Sequence, residues 1–457
     1  MTDYLNKHLI LIITSISSFL TPFTGSALNI ALPSISNELA NNAILLSWLP
    51  LSFYLVTAVS TIPLGRIADI YGIRKIFTYG VIIFTLSSFL AGLCMSMEIL
   101  IVFRALQGMG SAMMLVTGLA MLVVIFKTGE KGKAIGINSA AVFMGMSSGP
   151  LIGGFLTQFI GWRSIFFTTA ILGLIAILFF QKTGDNKFNV KSAGKFDIKG
   201  SLVFSLTLLI LLIGFSNIYT DPGKIMVLTG LIGILSYVFL ELEGKINVLN
   251  LNILLKSKNF IMGNIAIFIS VIGSVAVAFL LNLYLQYIKG LDPGSVGIIL
   301  TIQPLCMILI SPLAGELSDR FKGEIIGLIG LTISNISLFS LAFINSYTNL
   351  NLILFYLALL GIGLGLFSAP NTHAILGNVK PKFYGVTSAM VSTMRMTGQT
   401  FSMSLIILIF SKYLGYGQII PENYPSLLSS IQIIFFIIAI ISLGAVFALG
   451  ILCWKYS

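Results

Sequence analysis

Charged side chains are scarce in this 457-residue sequence. They make up 9% of it, against about 25% in an ordinary soluble domain, whereas hydrophobic residues reach 57%. A large soluble fold needs polar loops and amphipathic surfaces, and the sequence has little of either. This shortage excludes a sizeable soluble domain and predicts an all-helical protein that crosses the lipid bilayer many times.

Potential metal ligands are also few. Cys94, Cys306 and Cys453 lie far apart in or beside apolar segments, and His8 and His373 are isolated. No ligand-like spacing connects them, so we predict neither a metal site nor a disulfide, and no cofactor. A phosphate-binding loop with Gly-Lys-Ser/Thr is absent too, which argues against an ATP-driven step by this chain. No nucleophile–base cluster is evident, and an enzyme is therefore disfavoured.

Apolar runs of about 20 residues or more recur along the whole chain, and each is long enough to cross ~30 Å of hydrocarbon as a helix. We predict fourteen spans, with no soluble domain between them. Their approximate bounds are 9–32, 44–65, 76–96, 98–126, 133–157, 163–181, 200–218, 224–242, 261–287, 294–316, 324–345, 350–372, 384–411 and 428–453. The first run is too long for a signal-peptide core, so it is kept as the first helix.

The basic residues predict the orientation in the membrane. If the N-terminus is cytoplasmic, Arg163, Lys224, Lys289 and Lys412 fall outside, two arginines fall within spans, and the other 20 of the 26 lysines and arginines lie inside. This is the positive-inside pattern. It places both termini in the cytoplasm of a plasma-membrane protein. The basic side chains then face the anionic inner leaflet, which accounts for the net charge of +11. No nucleic-acid partner is therefore expected.

A charged turn occurs twice, at matching places. The first copy follows the second span and contains Gly65, Arg66, Asp69, Gly72, Arg74 and Lys75. A weaker copy follows the tenth span, 250 residues later, and contains Gly315, Glu316, Asp319 and Arg320. A plain duplication of six-helix halves would separate the copies by six spans, whereas they are eight spans apart. Spans seven and eight are therefore predicted to be an inserted hairpin.

The predicted organisation has three helical parts. An N-terminal six-helix bundle occupies 1–181, the inserted hairpin 200–243, and a C-terminal six-helix bundle 260–457. Two cytoplasmic linkers, 182–199 and 244–259, connect them.

Four stretches match signatures of one family. Residues 65–75 resemble its G-x-x-x-D-x-x-G-R-K loop, with Ile73 replacing the first basic residue, and residues 104–110 resemble its R-x-x-Q-G-x-G signature. Residues 145–154 resemble the G-x-x-x-G-P-x-x-G-G signature of its antiporters, and 29–33 match the end of helix one in its fourteen-helix drug:proton antiporter branch. The chain thus resembles the major facilitator superfamily, and that branch in particular, over essentially its whole length.

The resemblance implies roles for these stretches. Asp69 would help to latch the two bundles together on the cytoplasmic side, with Arg66 and Arg74 in the same charge network, and Asp319 and Arg320 would do a reduced version of this. The arginine matching Arg104 is tied to proton coupling in relatives. The alternative for Arg104, which has Gln107 one turn away, is that it snorkels to the membrane interface.

The glycine-rich stretch of the fifth span has two interpretations. Gly145, Gly149 and Gly153 repeat every four residues, which is ordinary close helix packing. Pro150 removes one helical hydrogen bond and should bend the helix. The resemblance implies that this stretch, which also includes Gly154, is a hinge that favours exchange and limits leak.

The acidic residues depart from the family pattern. The branch usually carries an aspartate in helix one, five residues before the asparagine that matches Asn29, and here Thr24 occupies that position. No other span has an acid at mid-membrane depth, and Glu316, the nearest, belongs to the second charged turn. Arg395, with Gln399 one turn later, is a second intramembrane cation that either lines the cavity or snorkels inward. If it lines the cavity, two arginines without acids make that cavity positive, which favours an anionic or zwitterionic substrate.

Other polar or aromatic residues within spans are candidates for a substrate cavity, although buried amides often bridge helices instead. They are Asn29, Trp48, Tyr54, Asn138, Asn282, Tyr284, Gln286, Gln303 and Asn371. We expect a monomeric secondary transporter that exports drugs or small amphipathic molecules by alternating access, with protons as coupling ion. The alternatives are an exporter or facilitator of an endogenous anionic or zwitterionic metabolite without proton antiport, and a membrane receptor or structural protein.

Overall fold

The computed structural model describes residues 2–39, 42–126, 130–181, 197–218, 220–244, 257–320, 323–377, 384–415 and 418–456. Within these ranges lie fourteen α-helices, a π-helical turn at Tyr284–Ile288 and a short 3-10 turn at Pro421–Asn423. The α-helices are α1 (Thr2–Leu39), α2 (Ala43–Tyr71), α3 (Ile73–Gly92), α4 (Met97–Ile125), α5 (Lys131–Phe159), α6 (Arg163–Gln181), α7 (Ile198–Ser216), α8 (Asp221–Leu242), α9 (Lys258–Leu283), α10 (Pro293–Arg320), α11 (Gly323–Leu341), α12 (Leu350–Gly377), α13 (Tyr384–Tyr413) and α14 (Tyr424–Tyr456).

Each predicted span corresponds to one of these helices. Over the described residues, thirteen of the helices are long and apolar enough to cross a membrane. The exception is α13, which has 30 residues but carries Arg395, Gln399 and several hydroxyl side chains in its middle. Its polarity marks it as a helix that faces other protein rather than lipid.

Two groups of six helices pack in the same pattern. In the first, α1 contacts α4, α5 and α6, α4 contacts α2 and α3, and α3 contacts α6. In the second, α9 contacts α12, α13 and α14, α12 contacts α10 and α11, and α11 contacts α14. This repetition confirms the predicted fold class, an all-α membrane protein with two pseudo-symmetric six-helix bundles and two extra helices.

The repeat extends to individual close contacts. A Cβ on Gly80 of α3 would lie 3.0 Å from the carbonyl oxygen of Gly110 on α4. A Cβ on Gly330 of α11 would lie 2.5 Å from the carbonyl oxygen of Gly363 on α12. Both pairs allow the helix backbones to approach closely, as small residues do in membrane bundles.

The bundles meet along two seams. One seam pairs α2 with α13, and the other pairs α5 with α10, while α1 also touches α9. The hairpin formed by α7 and α8 covers the first seam, because α7 contacts both α2 and α13. Most of the two predicted linkers, namely 182–196 and 245–256, lies outside the described residues.

Candidate transport pathway and gates

The paired bundles have two ends. The charged-turn end is where α2 ends and α3 begins, and the opposite end is where α1 and α9 end. In the orientation predicted from the basic residues, the charged-turn end faces the cytoplasm.

Side-chain amides join the bundles at the opposite end. The Nδ2 group of Asn282 on α9 donates to the backbone carbonyl of Asn29 on α1. Nε2 of Gln286 donates to the carbonyl of Ile30 at 2.8 Å and to Oδ1 of Asn282 at 2.6 Å. Pro33 has no N–H, so the carbonyl of Asn29 lacks its intrahelical donor and is free to accept from the other bundle.

The seam between α5 and α10 closes by backbone contact at the same end. A Cβ on Gly154 would lie 2.5 Å from the carbonyl oxygen of Pro293, and Gly297 packs equally closely on the carbonyl of Pro150. The backbone N–H of Gly294 donates to Oε1 of Gln158 at 3.1 Å. Any side chain larger than glycine at positions 154 and 297 would push the bundles apart.

The glycine-rich stretch of α5 therefore has two faces. Gly149 packs against Ser26 and the carbonyl of Phe23 on α1, and Gly145 and Gly153 contact the same helix. Gly154 and Pro150 contact α10 of the other bundle instead. The first face holds α5 within its own bundle, and the second belongs to the surface between the bundles.

The first charged turn is built around Gly72. Its φ of 104° lies in the region that favours glycine, and its N–H donates to the carbonyl of Ala68 at 3.0 Å, which ends α2. Six residues before Gly72, the guanidinium of Arg66 lies 4.0 Å from the carboxylate of half-buried Asp69. A Cβ on Gly65 would lie 3.8 Å from the side chain of Val116 on α4.

The turn continues into α3 and contacts α6. The guanidinium of Arg74 donates to the carbonyl of Phe180 at 3.5 Å and lies 4.8 Å from the centre of its ring, whereas Lys75 is exposed. In the second copy, Gly315 has open space around it and Glu316 is exposed. The side chains of Asp319 and Arg320 lie outside what the structure describes.

Arg104 is fully buried in the first bundle between α2 and α3. Its guanidinium stacks 4.4 Å from the ring centre of Phe53, Nη1 donates to Oε1 of Gln107, and Nε donates to the carbonyl of Leu49 at 3.4 Å. Gln107 in turn donates to Ser88 of α3 at 2.6 Å. Among the described residues nothing accepts from Nη2 of Arg104. The charge thus sits within a helix-bridging network.

Arg395 and Gln399 share one face of α13. At about 100° per residue, this face lies between the side that packs on α9, marked by Gly398 and Ser402, and the side that packs on α2 and α7, marked by Met396. Both side chains are half-buried. Within the described part of the chain, nothing donates to Oε1 of Gln399. Since α2 belongs to the first bundle and α9 to the second, this face lies between the surfaces of α13 that contact the two bundles.

Most of the remaining cavity candidates bridge helices. Ser18 of α1 donates to Asn138 at 2.9 Å, and Gln303 donates to Ser274 of α9 at 3.0 Å. Asn371 donates to the carbonyl of Gly263 at 3.1 Å, and Tyr284 donates to the carbonyl of Asn345 at 2.7 Å. Trp48 is half-buried against the main apolar core, and the buried ring of Tyr54 lies edge-on to that of Phe53.

Position 24, where the resembled branch usually has an aspartate, holds a threonine whose hydroxyl bonds within its own helix. Thr24 is fully buried, and its hydroxyl donates to the carbonyl of Leu20 in its own helix at 2.8 Å. One buried acid lies elsewhere: Glu241, in the last turn of α8, is 2% exposed, and no other described acid is buried. The sequence prediction did not single it out. Its signal is a glutamate four residues after Tyr237, inside an apolar span.

Comparison with known proteins bears on this arrangement. A family model described as Major Facilitator Superfamily matches residues 14–255 and 263–455. The chain belongs to the Major Facilitator Superfamily. The riboflavin transporter RibZ of Clostridioides difficile is 34% identical to it over 415 residues, which cover 90% of each chain. The multidrug resistance protein Stp of Mycobacterium tuberculosis is 28% identical, over 89% of this chain and 76% of its own length.

The fold of this superfamily member also matches a solved structure. A bacterial homologue of the human lysosomal transporter Spinster, crystallised in an inward-facing and unoccupied conformation, aligns over 97% of this chain and 96% of its own, with a TM-score of 0.67. The two sequences are 15% identical, so the likeness concerns the fold alone. Together with the helix packing, the family match establishes a membrane transporter.

Proposed function

We propose that this superfamily member transports a small amphipathic molecule that is anionic, zwitterionic or uncharged but rich in hydrogen-bonding groups. One observation carries the proposal: Arg395 and Gln399 lie half-buried on the face of α13 between its contacts with α2 of the first bundle and with α9 of its own bundle. Arginine offers a fork of donors, and glutamine offers both a donor and an acceptor. A lipophilic cation would meet the positive charge of Arg395 without a carboxylate to offset it.

Two further features support this substrate class. The sequence has no acid at mid-membrane depth, since all 15 aspartates and glutamates lie near helix ends or in links. The relative RibZ, named as a riboflavin transporter, makes a polar heteroaromatic molecule a sensible first probe. Riboflavin combines a planar apolar ring system with several amide and hydroxyl groups, which suits an arginine–glutamine pair.

The proposed mechanism is alternating access by a monomer in the plasma membrane. The hydrogen bonds from Asn282 and Gln286, and the glycine contacts of α5 with α10, would close the external side in one state. Opening that side would require these contacts to break and the charged-turn end to close. Asp69 with Arg66, and their weaker counterparts in the second bundle, would then act as the cytoplasmic latch.

A second candidate is proton-coupled drug export. The antiporter-like stretch 145–154 in α5 and the relatives named as multidrug resistance proteins favour it. Thr24, however, cannot carry a proton in exchange for a substrate, so coupling would need a different group.

Flux in proteoliposomes tests the proposal. We expect purified protein to transport riboflavin and to transport the dye cation ethidium poorly. An imposed pH gradient should change the riboflavin flux little. Arg395→Gln should reduce riboflavin flux about tenfold or more, since a charge-assisted hydrogen bond is worth roughly 1.5–3 kcal/mol. Lys412→Gln, at the far end of the same helix, should leave flux unchanged. Gradient-driven ethidium export would overturn the proposal in favour of drug:proton antiport.

A further inference from the structure

The inserted hairpin is more than a spacer, because it docks on the half of α2 that leads into the first charged turn. The hydroxyl of Ser205 on α7 donates to the backbone carbonyl of Val59 on α2 at 2.7 Å. Pro63 lies four residues after Val59 and has no N–H, so this carbonyl is the one left without an intrahelical donor. The hairpin therefore attaches at a specific, proline-freed acceptor.

The same hairpin is also fastened to the second bundle. Ser216, at the other end of α7, donates to the hydroxyl of Ser404 on α13 at 2.8 Å. The hairpin thus spans the seam between α2 and α13, with one polar attachment on each bundle. Any change in the angle between α2 and α13 must be accommodated at α7.

Apolar packing continues this attachment toward the charged turn. Tyr237 of α8 is 2% exposed and clusters with Ile62 of α2, Phe204 of α7 and Met390 of α13. The rings of Phe204 and Tyr237 lie 5.4 Å apart. Two helices of the hairpin and one helix from each bundle therefore meet at a single point.

Charged residues lie near the cluster around Tyr237, on its side nearer the first charged turn. The hydroxyl of Tyr237 lies within electrostatic range of Glu241 on its own helix, of Asp197, which caps α7, and of Arg66 on α2. Arg66 also faces Asp69 of its own helix at 4.0 Å. α13 contributes the apolar side chain of Met390 to this cluster. Arg66 follows Ile62 by about one turn of α2, so it lies on the side of that helix that meets the hairpin at Tyr237.

We propose that the hairpin is a third component of the gate at the charged-turn end, in which Glu241 and Tyr237 act as positioning residues for Arg66. Burial makes Glu241 the important acid, because a polar group removed from water interacts more strongly with its neighbours than an exposed one. The hairpin then restrains the seam between α2 and α13 through Arg66. This inference rests on the proposed alternating access, and it assigns to the extra helices a part in it.

The test measures the opening of the seam without using a substrate. In a variant whose three cysteines are replaced by serine, Ser392→Cys reports access to a membrane-impermeant maleimide, because Ser392 lies one turn before Arg395 on the same face of α13. We expect Glu241→Gln to raise the labelling rate from the charged-turn side about threefold to tenfold, in the range of coupling between neighbouring charged groups. Glu243→Gln, the same substitution at an exposed position two residues later, should leave the rate at the parent value.

A double mutant separates positioning from simple loosening. If Glu241 acts through Arg66, the combination of Arg66→Gln with Glu241→Gln labels no faster than the faster single variant. Additive rates, a parent-like rate in Glu241→Gln, or an equal rise in Glu243→Gln would each overturn the proposal. Should Glu241→Gln fail to give a monodisperse protein, Tyr237→Phe decides, because it keeps the ring packing and removes the hydroxyl. A parent-like rate in Tyr237→Phe would also refute the proposal.

Riboflavin flux by the parent protein is recorded in parallel. Absence of flux would count against the proposed function, whereas the labelling ratios test the hairpin independently of any substrate.

Discussion

The side-chain amide of Asn282 donates to the backbone carbonyl of Asn29, an acceptor that Pro33 leaves without its intrahelical donor. The hydroxyl of Ser205 uses the carbonyl of Val59, freed by Pro63, in the same way. In a membrane interior an unsatisfied carbonyl is costly, so a proline in a spanning helix creates a demand for a donor from another helix. In this chain one such donor comes from the second bundle and the other from the hairpin.

Replacement of Asn282 by alanine should favour the state that is open at the opposite end. The lost bond is worth about 0.6 kcal/mol on average in membrane proteins, which is roughly a threefold shift between states. Labelling of Thr157→Cys, buried on α5 near that end, measures the shift as a faster reaction in a background without other cysteines. The matched control is Asn264→Ala on the same helix, whose amide donates to Phe260 within α9 at 2.8 Å. Equal rates in the two variants would refute the gating role of Asn282.

The sequence predicted much of this fold because its signals are local. Apolar runs located fourteen helices, and the second charged turn, displaced by two spans, predicted a hairpin inserted between the halves. The partner of Asn29 lies 253 residues away on α9, and a buried amide can choose among many carbonyls, so only the folded structure identifies it. The same holds for the glycines of α5, whose period of four predicted packing but did not separate the α1 face of Gly149 from the α10 face of Gly154.

Glu241 shows a different limit of the sequence. The bounds of a predicted span are uncertain by several residues, so an acid in its last turn looks like a solvated link residue. Burial of that acid depends on α2, α7 and α13 meeting around Tyr237, which no local pattern encodes.

Gly72→Ala should destabilise the protein through its backbone alone. Nothing lies within 4 Å of the position that a Cβ would occupy, but the φ of 104° is strained for alanine. The expected loss is about 1–2 kcal/mol, seen as a lower midpoint of thermal unfolding in detergent. Gly136→Ala serves as control, because it also has free space but lies inside α5, where alanine is preferred over glycine. A fall in both midpoints would contradict the assignment of the loss at Gly72 to its φ.

Asp292 should make stability depend on pH. It lies just before α10, and hydrogen bonds from the backbone N–H of Ser295 at 2.9 Å and from its hydroxyl at 2.7 Å lower the pKa of this carboxyl. Because the folded pKa is the lower one, the stabilisation is complete above the unfolded pKa of about 3.9 and is lost as pH falls through the folded value.

Asp292→Asn measures this charge effect, since asparagine keeps a capping oxygen. The carboxylate is exposed, so the difference from the parent protein should stay at or below about 1 kcal/mol near pH 6 and close toward pH 3. Unfolding midpoints of both proteins across that range test this expectation. If the difference in unfolding midpoint between the parent protein and Asp292→Asn widened at low pH, folding would raise the pKa of Asp292 instead of lowering it.

The network around Arg104 predicts that two substitutions are better tolerated than one. Arg104→Met removes a buried charge but leaves Gln107 without the guanidinium that it accepts from, and an unpaired buried amide costs about 1–3 kcal/mol. Adding Gln107→Leu should therefore raise the unfolding midpoint above that of Arg104→Met alone, because apolar replacement of both partners avoids the unpaired group. Arg104→Lys should not rescue stability, since an ammonium cannot both stack on Phe53 and present a planar fork to Gln107. Riboflavin flux is measured in the same double variant. Flux equal to that of the parent protein would mean that Arg104 has only a packing role. Recovered stability without flux would mean that the charge of Arg104 is needed for transport.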